Sequence, residues 1–217
     1  RPNYATNPGI VSSKKTWETV ETWDVGLDWS FFNNRLSGSF DYFVRYTYDM
    51  IGPAPELSSL LGTSVPKINN SDMKSYGFEL EVNWRDRIGE VSYGAKFVLS
   101  DDQQKILRYP NDSYDVGSYY KGEHLNDIWG LTTIGIAKSQ EEMDAHIASL
   151  PNGGQSAVGS QWAAGDMMYK DLNNDGKISS GASTLDDHGD LKLLGDANPH
   201  YFYGIDLTAS WKGFDFR

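Results

Sequence analysis

The sequence contains no cysteine, which excludes disulfide scaffolds and thiolate metal sites. Basic residues are scarce, because 19 Lys and Arg stand against 30 Asp and Glu and give a formal net charge of -11. This balance argues against nucleic acid as a partner, since phosphates attract surfaces rich in Lys and Arg. Long hydrophobic runs are also missing. No stretch reaches the roughly 18 apolar residues of a transmembrane helix, and the sequence predicts none.

Aromatic residues and glycine are abundant by comparison. Aromatics make up 13% of the chain, and the 22 glycines add a signal for turns, so the composition favours β structure. The mean hydropathy of -0.54 is typical of water-soluble proteins. It is also compatible with a membrane barrel, because only alternate strand residues face lipid and the loops are polar.

Alternation of apolar and polar residues with period two is the clearest pattern in the sequence. From Thr22 to Phe31 every second residue is apolar, without exception. Asn33-Asn34 follows, and this pair tolerates the left-handed conformation of tight hairpin turns. The same alternation recurs along the chain and predicts strands near residues 20–32, 36–49, 75–84, 91–100 and 201–211, with another beginning at Phe214.

The lengths of these strands and of their connections indicate a membrane barrel. Runs of about ten residues exceed the usual five or six of soluble strands and match the nine to eleven that cross a bilayer. Tight turns at Asn33-Asn34, Arg85–Glu90 and Lys212-Gly213 alternate with long loops near residues 51–74 and 101–199. Outer-membrane barrels have short periplasmic turns and long extracellular loops. The predicted fold is therefore all-β, with residues 1–217 forming part of one large antiparallel transmembrane barrel.

The placement of aromatic residues predicts two girdles at the membrane interfaces. Trp29, Trp84 and Trp211 each lie on the apolar side of a strand shortly before a tight turn. The same side carries aromatics at the opposite strand ends, namely Trp23, Tyr46, Tyr48, Tyr76, Tyr201 and Tyr203. Packing of these rings inside a soluble core is the alternative interpretation.

The second long loop is expected to contain one short helix. Ser139 and Glu142 have the spacing of a capping box, and Met143, Ile147 and Leu150 follow at helical spacing. The sequence Pro-Asn-Gly-Gly from residue 151 ends the pattern. A scaffold role fits this helix better than a catalytic one.

Four motifs occur in order along nearly the whole chain. They are Trp17-Glu18-Thr19 followed by Gly26-Leu27-Asp28; the FFNNRLSG hairpin of residues 31–38 followed by Asp41-Tyr42; YGFEL at residues 76–80; and GDMMYKDLNNDGKI at residues 165–178. Leu194-Gly195, Asn198-Pro199 and Tyr203-Gly204 then follow. In content and in order, these motifs resemble the SusC/RagA branch of TonB-dependent outer-membrane transporters.

The resemblance implies active import of an oligosaccharide or another large nutrient across the outer membrane of a Gram-negative bacterium. It implies energy supplied through TonB, contact with outer-membrane lipid, and a SusD-like lipoprotein that captures the nutrient. The plug domain and the segment that contacts TonB are not found in these residues, and we expect them in a part of the protein that precedes residue 1. A closing C-terminal strand is likewise not found here.

One loop has the ligand spacing of an EF-hand calcium site. Its candidate ligands are Asp171, Asn173, Asp175, the backbone carbonyl of Lys177, and Ser179 through water. Alternate oxygens of this kind converge on a hard cation, and Gly176 permits the sharp turn. Position twelve is Ala182 where an EF-hand has a bidentate glutamate. A carboxylate further along the chain would have to replace it, and the candidates are Asp186, Asp187 and Asp190. The alternative is an Asx-rich turn held by its own hydrogen bonds.

No catalytic residues are predicted. The four histidines, at positions 124, 146, 188 and 200, have no metal-binding or triad spacing and are interpreted as structural. Glu79 and Glu81 lie on the polar side of a strand and fit the lining of a water-filled lumen. Loop aromatics suit either sugar stacking, docking of a lid protein or packing within the loop; they are Tyr114, Tyr119, Tyr120, Trp129 and Trp162.

Two other classes of function compete with a transporter. A secreted, calcium-stabilised β-sandwich that binds carbohydrate would share the strand pattern and the acidic loop. A glycan-cleaving enzyme would need a convergent carboxylate pair with aromatic platforms, for which the sequence offers no candidates. The sequence therefore favours a transporter segment and not an enzyme.

Overall fold

The computed structural model describes residues 12, 15–54 and 65–217, which form two compact units. The first unit holds the described residues up to Pro110 together with Asn198–Arg217, and the second is Asn111–Ala197. The strands are β1 (Thr19–Phe31), β2 (Leu36–Ile51), β3 (Asn69–Ile88), β4 (Val91–Arg108), β5 (Asp127–Leu131), β6 (Thr133–Ile136), β7 (Met167–Tyr169), β8 (Leu191–Asp196), β9 (Phe202–Trp211) and β10 (Phe214–Phe216), and the helix is α1 (Gln140–Ala148).

The first unit is one antiparallel sheet with the strand order β1-β2-β3-β4-β9-β10. Its neighbours are consecutive strands of hairpins, except that β9 returns to β4 after the whole second unit. Among the described residues the sheet does not close on itself, so β1 and β10 are its edges. The structure confirms the predicted fold class of a long-stranded antiparallel barrel segment with one short loop helix.

Left-handed residues shape the three tight connections. The first turn occupies the four residues between β1 and β2, and Phe32, Asn33 and Asn34 there have φ of 55°, 55° and 65°. The second is shorter than predicted, because β3 continues through Arg85–Ile88 and only Gly89-Glu90 remain outside the strands. Lys212 and Gly213, with φ of 47° and 87°, connect β9 to β10.

Strands β3 and β4 are longer than the alternation predicts. β3 begins at Asn69 and not near residue 75, and β4 continues to Arg108 and not to residue 100. The added part of β4 is mostly polar, from Ser100 to Lys105. Backbone pairing extends it as far as Asp72 opposite Arg108. Hydrophobic periodicity does not detect such a ladder. Of the first predicted long loop, residues 55–64 lie outside the described residues.

The first unit has almost no buried apolar interior. The buried hydrophobic residues in the described part are Ile106, Tyr120, Ala137, Met143, Leu150, Met168 and Ile178, and only Ile106 belongs to the large sheet. By contrast, Leu27 is 63% exposed and Ile205 is 67% exposed. A β-sandwich would cover these side chains with a second sheet. The exposed apolar face therefore disagrees with the alternative of a soluble sandwich.

The second unit has its own secondary structure where the sequence predicts mostly loop. Strands β5 and β8 form one two-stranded sheet, and β6 and β7 form another. Ser139 caps α1 as predicted, because its hydroxyl accepts a hydrogen bond from the amide of Glu142 at 3.2 Å. A small core contains Ala137, Met143 and Met168, with Ile147 and Trp162 packed against it. Within the described ranges, no helix has the length and apolar character needed to span a membrane.

Candidate functional site

The apolar side of the large sheet is organised in rows that run across five strands. Cross-strand partners in an antiparallel sheet lie on the same face, so the register tests the predicted parity directly. Three neighbouring rows are Leu27, Phe40, Leu80, Leu99 and Tyr203; Trp29, Gly38, Val82, Phe97 and Ile205; and Phe31, Leu36, Trp84, Ala95 and Leu207. The only residue without an apolar side chain is Gly38, which lies beneath the Trp29 indole.

The three tryptophans near the tight turns are staggered along the sheet. Both positions can be projected onto β3 through the strand register. Trp29 is in the same row as Val82 of β3, and Trp211 is in the same row as Ile88, because Val91 of β4 pairs with both. The difference is 88 − 82 = 6 residues. This shift is about 20 Å along the strands, over about 19 Å for the four spacings from β1 to β9. The line through the tryptophans therefore crosses the strands at about 45°, the tilt of strands in outer-membrane barrels.

The opposite side of the sheet is mostly polar. Its three corresponding rows are Gly26, Asp41, Glu79, Ser100 and Phe202; Asp28, Ser39, Glu81, Val98 and Gly204; and Ser30, Ser37, Asn83, Lys96 and Asp206. Lys96 forms an ion pair with Glu81 at 2.7 Å, and the Asn83 amide donates to the same carboxylate at 2.6 Å. Glu79 and Glu81 thus lie on the face predicted to line a lumen, and the ion pair gives Glu81 a structural role.

A guanidinium ties the far ends of β2, β3 and β4 together. Arg108 donates to Asp72 from Nε and Nη2, both at 2.7 Å, and its Nη2 also donates to Asp49 at 2.8 Å. Asp72 further accepts from the backbone N–H of Asp49 at 2.8 Å. This cluster lies at the strand ends away from the tight turns and holds the polar extensions in register.

The acidic loop follows β7 in the second unit and folds into a tight turn. Gly176 has φ of +79°, and its N–H donates to Asp171 Oδ2 at 2.8 Å. The Asn173 side-chain oxygen accepts from Asp175 N at 3.0 Å, and Asp175 Oδ1 accepts from Lys177 N at 3.0 Å. These bonds are those of the Asx-rich turn given above as the alternative to a metal site.

The turn nevertheless brings carboxylates together as an EF-hand loop does. Asp171, Asp175 and Asp190 each offer an oxygen, and the three oxygens lie within 4.8 Å of one another. Asp190 is therefore the residue, among the three later aspartates considered, whose carboxylate lies beside those of Asp171 and Asp175. Asp187 instead accepts a hydrogen bond from Ala182 N at 3.2 Å and closes a local turn.

The other three predicted ligands serve the same loop in different ways. Asn173 is exposed, and its oxygen is engaged with Asp175 N. Ser179 is linked to Asp190 through two backbone contacts, because its N–H donates to Asp190 Oδ2 and its carbonyl accepts from Asp190 N, both at 2.8 Å. The Lys177 ammonium lies 4.0 Å from Asp175 Oδ2 at the surface. Of the five predicted positions, Asp171 and Asp175 contribute to the cluster of three carboxylates, and Asp190 is its third member.

The loop aromatics pack mainly against their own unit. The Trp129 indole donates to the Tyr120 hydroxyl at 3.3 Å and lies 5.5 Å from the His188 ring, centroid to centroid. Trp162 donates to the Gly159 carbonyl at 3.0 Å and packs on the small core. These contacts favour packing within the loop over sugar stacking for both tryptophans. Tyr114 and Tyr119 are the more exposed members of the set.

A buried glutamate in this unit is not evident from the sequence. Glu123 is 6% exposed and accepts a hydrogen bond from Tyr120 N at 2.9 Å. Burial, with a smaller contribution from the nearby Asp127 carboxylate, raises the pKa of Glu123 above its usual value, although the Tyr120 bond opposes the shift. Glu123 therefore stabilises the turn that contains Tyr120. The four histidines, all of which the structure describes, lie outside the cluster of three carboxylates.

Comparison with known proteins gives consistent matches over nearly the whole chain. The family model described as TonB dependent receptor-like, beta-barrel matches residues 1–216. TonB-dependent receptor P3 of Formosa agariphila is 26% identical over 213 residues, covering 92% of this chain and 20% of that protein. TonB-dependent receptor SusC of Bacteroides thetaiotaomicron is 23% identical over 215 residues, covering 98% and 20%. The chain thus spans about a fifth of the length of these relatives.

Solved structures share the fold. The RagAB peptide importer in its open-open state matches with a TM-score of 0.61 and 20% identity, covering 93% of this chain and 20% of that one. The same importer in its closed-closed state matches with a TM-score of 0.57 and 19% identity, covering 92% and 20%.

Proposed function

The chain belongs to the TonB-dependent receptor-like β-barrel family, and from this membership we propose that it forms part of the wall of an outer-membrane importer for a large nutrient. The SusC/RagA branch is the part of the family that its motifs and its relatives indicate. The importer would draw its energy through TonB and would itself catalyse no reaction. The host would be a Gram-negative bacterium.

The observation that carries this proposal is the uncovered apolar face of the large sheet. Leu27, Ile205 and Leu207 are each more than 60% exposed, although they lie in the middle of long strands. Water disfavours such a surface by about 25 cal/mol for each Å². Lipid accepts it without cost. The 45° stagger of the tryptophans supports the same environment, because barrel strands cross the bilayer at that tilt.

The polar face supports a water-filled interior. Asp28, Asp41 and Glu79 lie there, and buried charges of one sign without partners would be costly in a packed protein core. A wide barrel of about 22 strands encloses enough space to keep such side chains hydrated. The described strands would supply a part of that wall.

The place of the second unit in the chain suggests where a partner binds. The chain of this unit runs between the end of β4 and the start of β9, and these are the strand ends opposite to the tight turns. In outer-membrane barrels the long connections are extracellular. We therefore propose that this unit faces the outside of the cell and helps to form the surface on which a SusD-like lipoprotein docks.

The cargo we propose is an oligosaccharide, as the resemblance to the SusC/RagA branch implies. RagAB is named a peptide importer, so a peptide is the competing cargo class. The two tryptophans of the second unit are occupied by contacts within the loop. Sugar stacking would therefore fall to Tyr114 and Tyr119 or to other parts of the full receptor.

The test uses the full-length receptor in its native host. The gene is deleted and restored, membranes are fractionated, and growth is compared on oligosaccharide mixtures and on peptides as the sole source. We expect the receptor in the outer-membrane fraction, a surface lipoprotein that co-purifies in detergent, and loss of growth on oligosaccharides in the deletion strain. If the deletion strain loses growth on peptides but not on oligosaccharides, the cargo is a peptide. A receptor found in the soluble fraction would refute the proposal as a whole.

A further inference from the structure

We propose that Asp171, Asp175 and Asp190 form a calcium site that joins the two small sheets of the second unit. The site lies within the second unit and does not depend on the cargo of the receptor. It consists of the acidic motif and a third carboxylate that only the folded chain brings beside it. Two independent observations, the placement of Asp190 and an oxygen of Asp171, carry it.

The first observation is the convergence of three carboxylates. Their ligand oxygens lie within 4.8 Å of one another. Two oxygens bound to one calcium ion at about 2.3–2.6 Å are at most about 5 Å apart, so a single ion can reach all three. Asp190 is fully buried, and its two oxygens accept from the backbone N–H groups of Leu172 and Ser179 at 2.7 and 2.8 Å. This carboxylate is held in place from both sides of the turn.

The second observation is an oxygen that lacks a partner. Asp171 Oδ1 is enclosed by protein and has no hydrogen-bond partner among the described residues, whereas Oδ2 of the same carboxylate is bonded to Gly176 N. A buried carboxylate oxygen left unpaired is costly, because it loses its hydration without replacement. A bound cation at the cluster would supply the missing interaction.

The local charge leads to the same conclusion. Three carboxylates repel one another. Within the described part of the chain, the positive side chain that pairs with them is Lys177, whose ammonium is 4.0 Å from Asp175 Oδ2. Half of the Lys177 side chain is exposed, so water screens its charge. A divalent ion within the cluster would offset the repulsion far better than this surface contact.

The donor set selects the kind of ion. All three ligands are carboxylate oxygens, and the cluster contains no histidine or cysteine. Hard oxygen donors suit calcium or magnesium, whereas zinc and copper prefer nitrogen and sulfur. Calcium accepts irregular sets of six to eight oxygens, and magnesium demands a nearly ideal octahedron. A loop that collects ligands from two distant parts of the chain fits calcium better.

The site would work as a cross-link. Asp171 follows the end of β7, and Asp190 directly precedes β8, so an ion between them connects the sheet β6/β7 to the sheet β5/β8. Asn152, just beyond α1, is tied to the same turn, because its side chain donates to the Asp175 carbonyl at 2.6 Å. Since the unit has only a small apolar core, metal binding would contribute substantially to its order.

The experiment uses the full-length receptor purified in detergent. Calcium binding is measured by titration with CaCl2, and the order of the loop is measured by limited proteolysis in CaCl2, in MgCl2 and in chelator. Asp171→Asn and Asp190→Asn keep the size of the side chain and one oxygen acceptor but remove the charge. Asp186→Asn is the matched control, because Asp186 is an exposed acidic residue outside the cluster.

We expect binding with a dissociation constant of about 10⁻⁴ to 10⁻³ M, as for extracellular modules. Calcium should slow cleavage within residues 167–191, and each cluster variant should weaken binding at least about tenfold, while Asp186→Asn behaves as the unsubstituted protein. Unchanged proteolysis in calcium and chelator would overturn the site and leave a hydrogen-bonded turn. Equal protection by magnesium would overturn the assignment to calcium. Full binding by Asp190→Asn would overturn its role as the third ligand.

Discussion

Replacing Leu80 by arginine should block assembly of the barrel, whereas replacing its neighbour Glu79 should not. Leu80 lies in the centre of the row that runs from Leu27 through Phe40 and Leu99 to Tyr203. Glu79 lies on the opposite face, between Asp41 and Ser100. The two substitutions introduce the same side chain one residue apart, so they differ in the face that receives the charge.

The expected magnitude follows from the depth of Leu80 in the band. On β3, the aromatic residues Tyr76 and Trp84 bound the apolar band at its two edges, and Leu80 lies midway between them. Arginine at the middle of the lipid face of a barrel costs about 2–4 kcal/mol. This corresponds to a loss of about 30- to 700-fold in the folded-to-unfolded ratio. Arginine at position 79 would instead lie opposite the Asp41 carboxylate, which favours it.

The assay is the fraction of full-length receptor that reaches the folded, heat-modifiable form in outer membranes. Glu79 is a better control than Glu81, because Glu81 already pairs with Lys96 at 2.7 Å and an arginine there would face that ammonium. Leu27→Arg provides a second test of the same row at the edge strand β1. Equal loss of folded receptor from Leu80→Arg and Glu79→Arg would refute the assignment of the two faces.

Three further predictions concern the edges of the sheet and the second unit. Residues 1–217 expressed alone without detergent should aggregate, since β1 and β10 are open edges beside an apolar face; a monodisperse, cooperatively melting domain would contradict the barrel assignment. Arg108→Ala should increase hydrogen exchange at the ends of β3 and β4 by a few-fold, because exposed ion pairs contribute about 0–1 kcal/mol. Assembly should be unaffected, since the substitution leaves the apolar band intact. Unchanged exchange would show that the cluster with Asp49 and Asp72 does not hold the strand ends. Glu123→Gln should slow proteolysis of the second unit at neutral pH, because burial raises the pKa of Glu123 in the folded state and makes its ionised form unfavourable there. This stabilisation by glutamine should disappear as pH falls toward 4.5, where Glu123 itself becomes protonated. A stabilisation that grows on acidification would contradict this prediction.

Much of the large sheet can be predicted from the residues because its local rules agree. The uninterrupted alternation from Thr22 to Phe31 assigns each side chain to a face, and the register confirms that assignment across five strands. Lys212-Gly213 and Asn33-Asn34 form turns as expected, because both adopt the left-handed conformation that their positions require. Ser139 caps α1 for an equally local reason.

The extent of the strands and the ligands of the acidic loop are less accessible. Beyond Leu99 the residues of β4 are polar, and they remain in the sheet because β3 pairs with them and Arg108 closes the end. Neither the pairing with β3 nor the Arg108 contact produces a periodic pattern in the sequence. In the same way, Asp186, Asp187 and Asp190 carry identical carboxylates, so the sequence does not indicate which of them joins Asp171 and Asp175.

The sequence by itself determined the strand parity, the tight turns, the capped helix and the motif from Asp171 to Asp175, since each depends on neighbours within a few residues. Only the tertiary structure decided that Asp190 joins Asp171 and Asp175, that Trp129 and Trp162 are held within the loop, and that the tryptophans of the wall are staggered at about 45°. These features depend on which distant backbone segments pair. That choice is made by the energy of the whole chain and not by local preference.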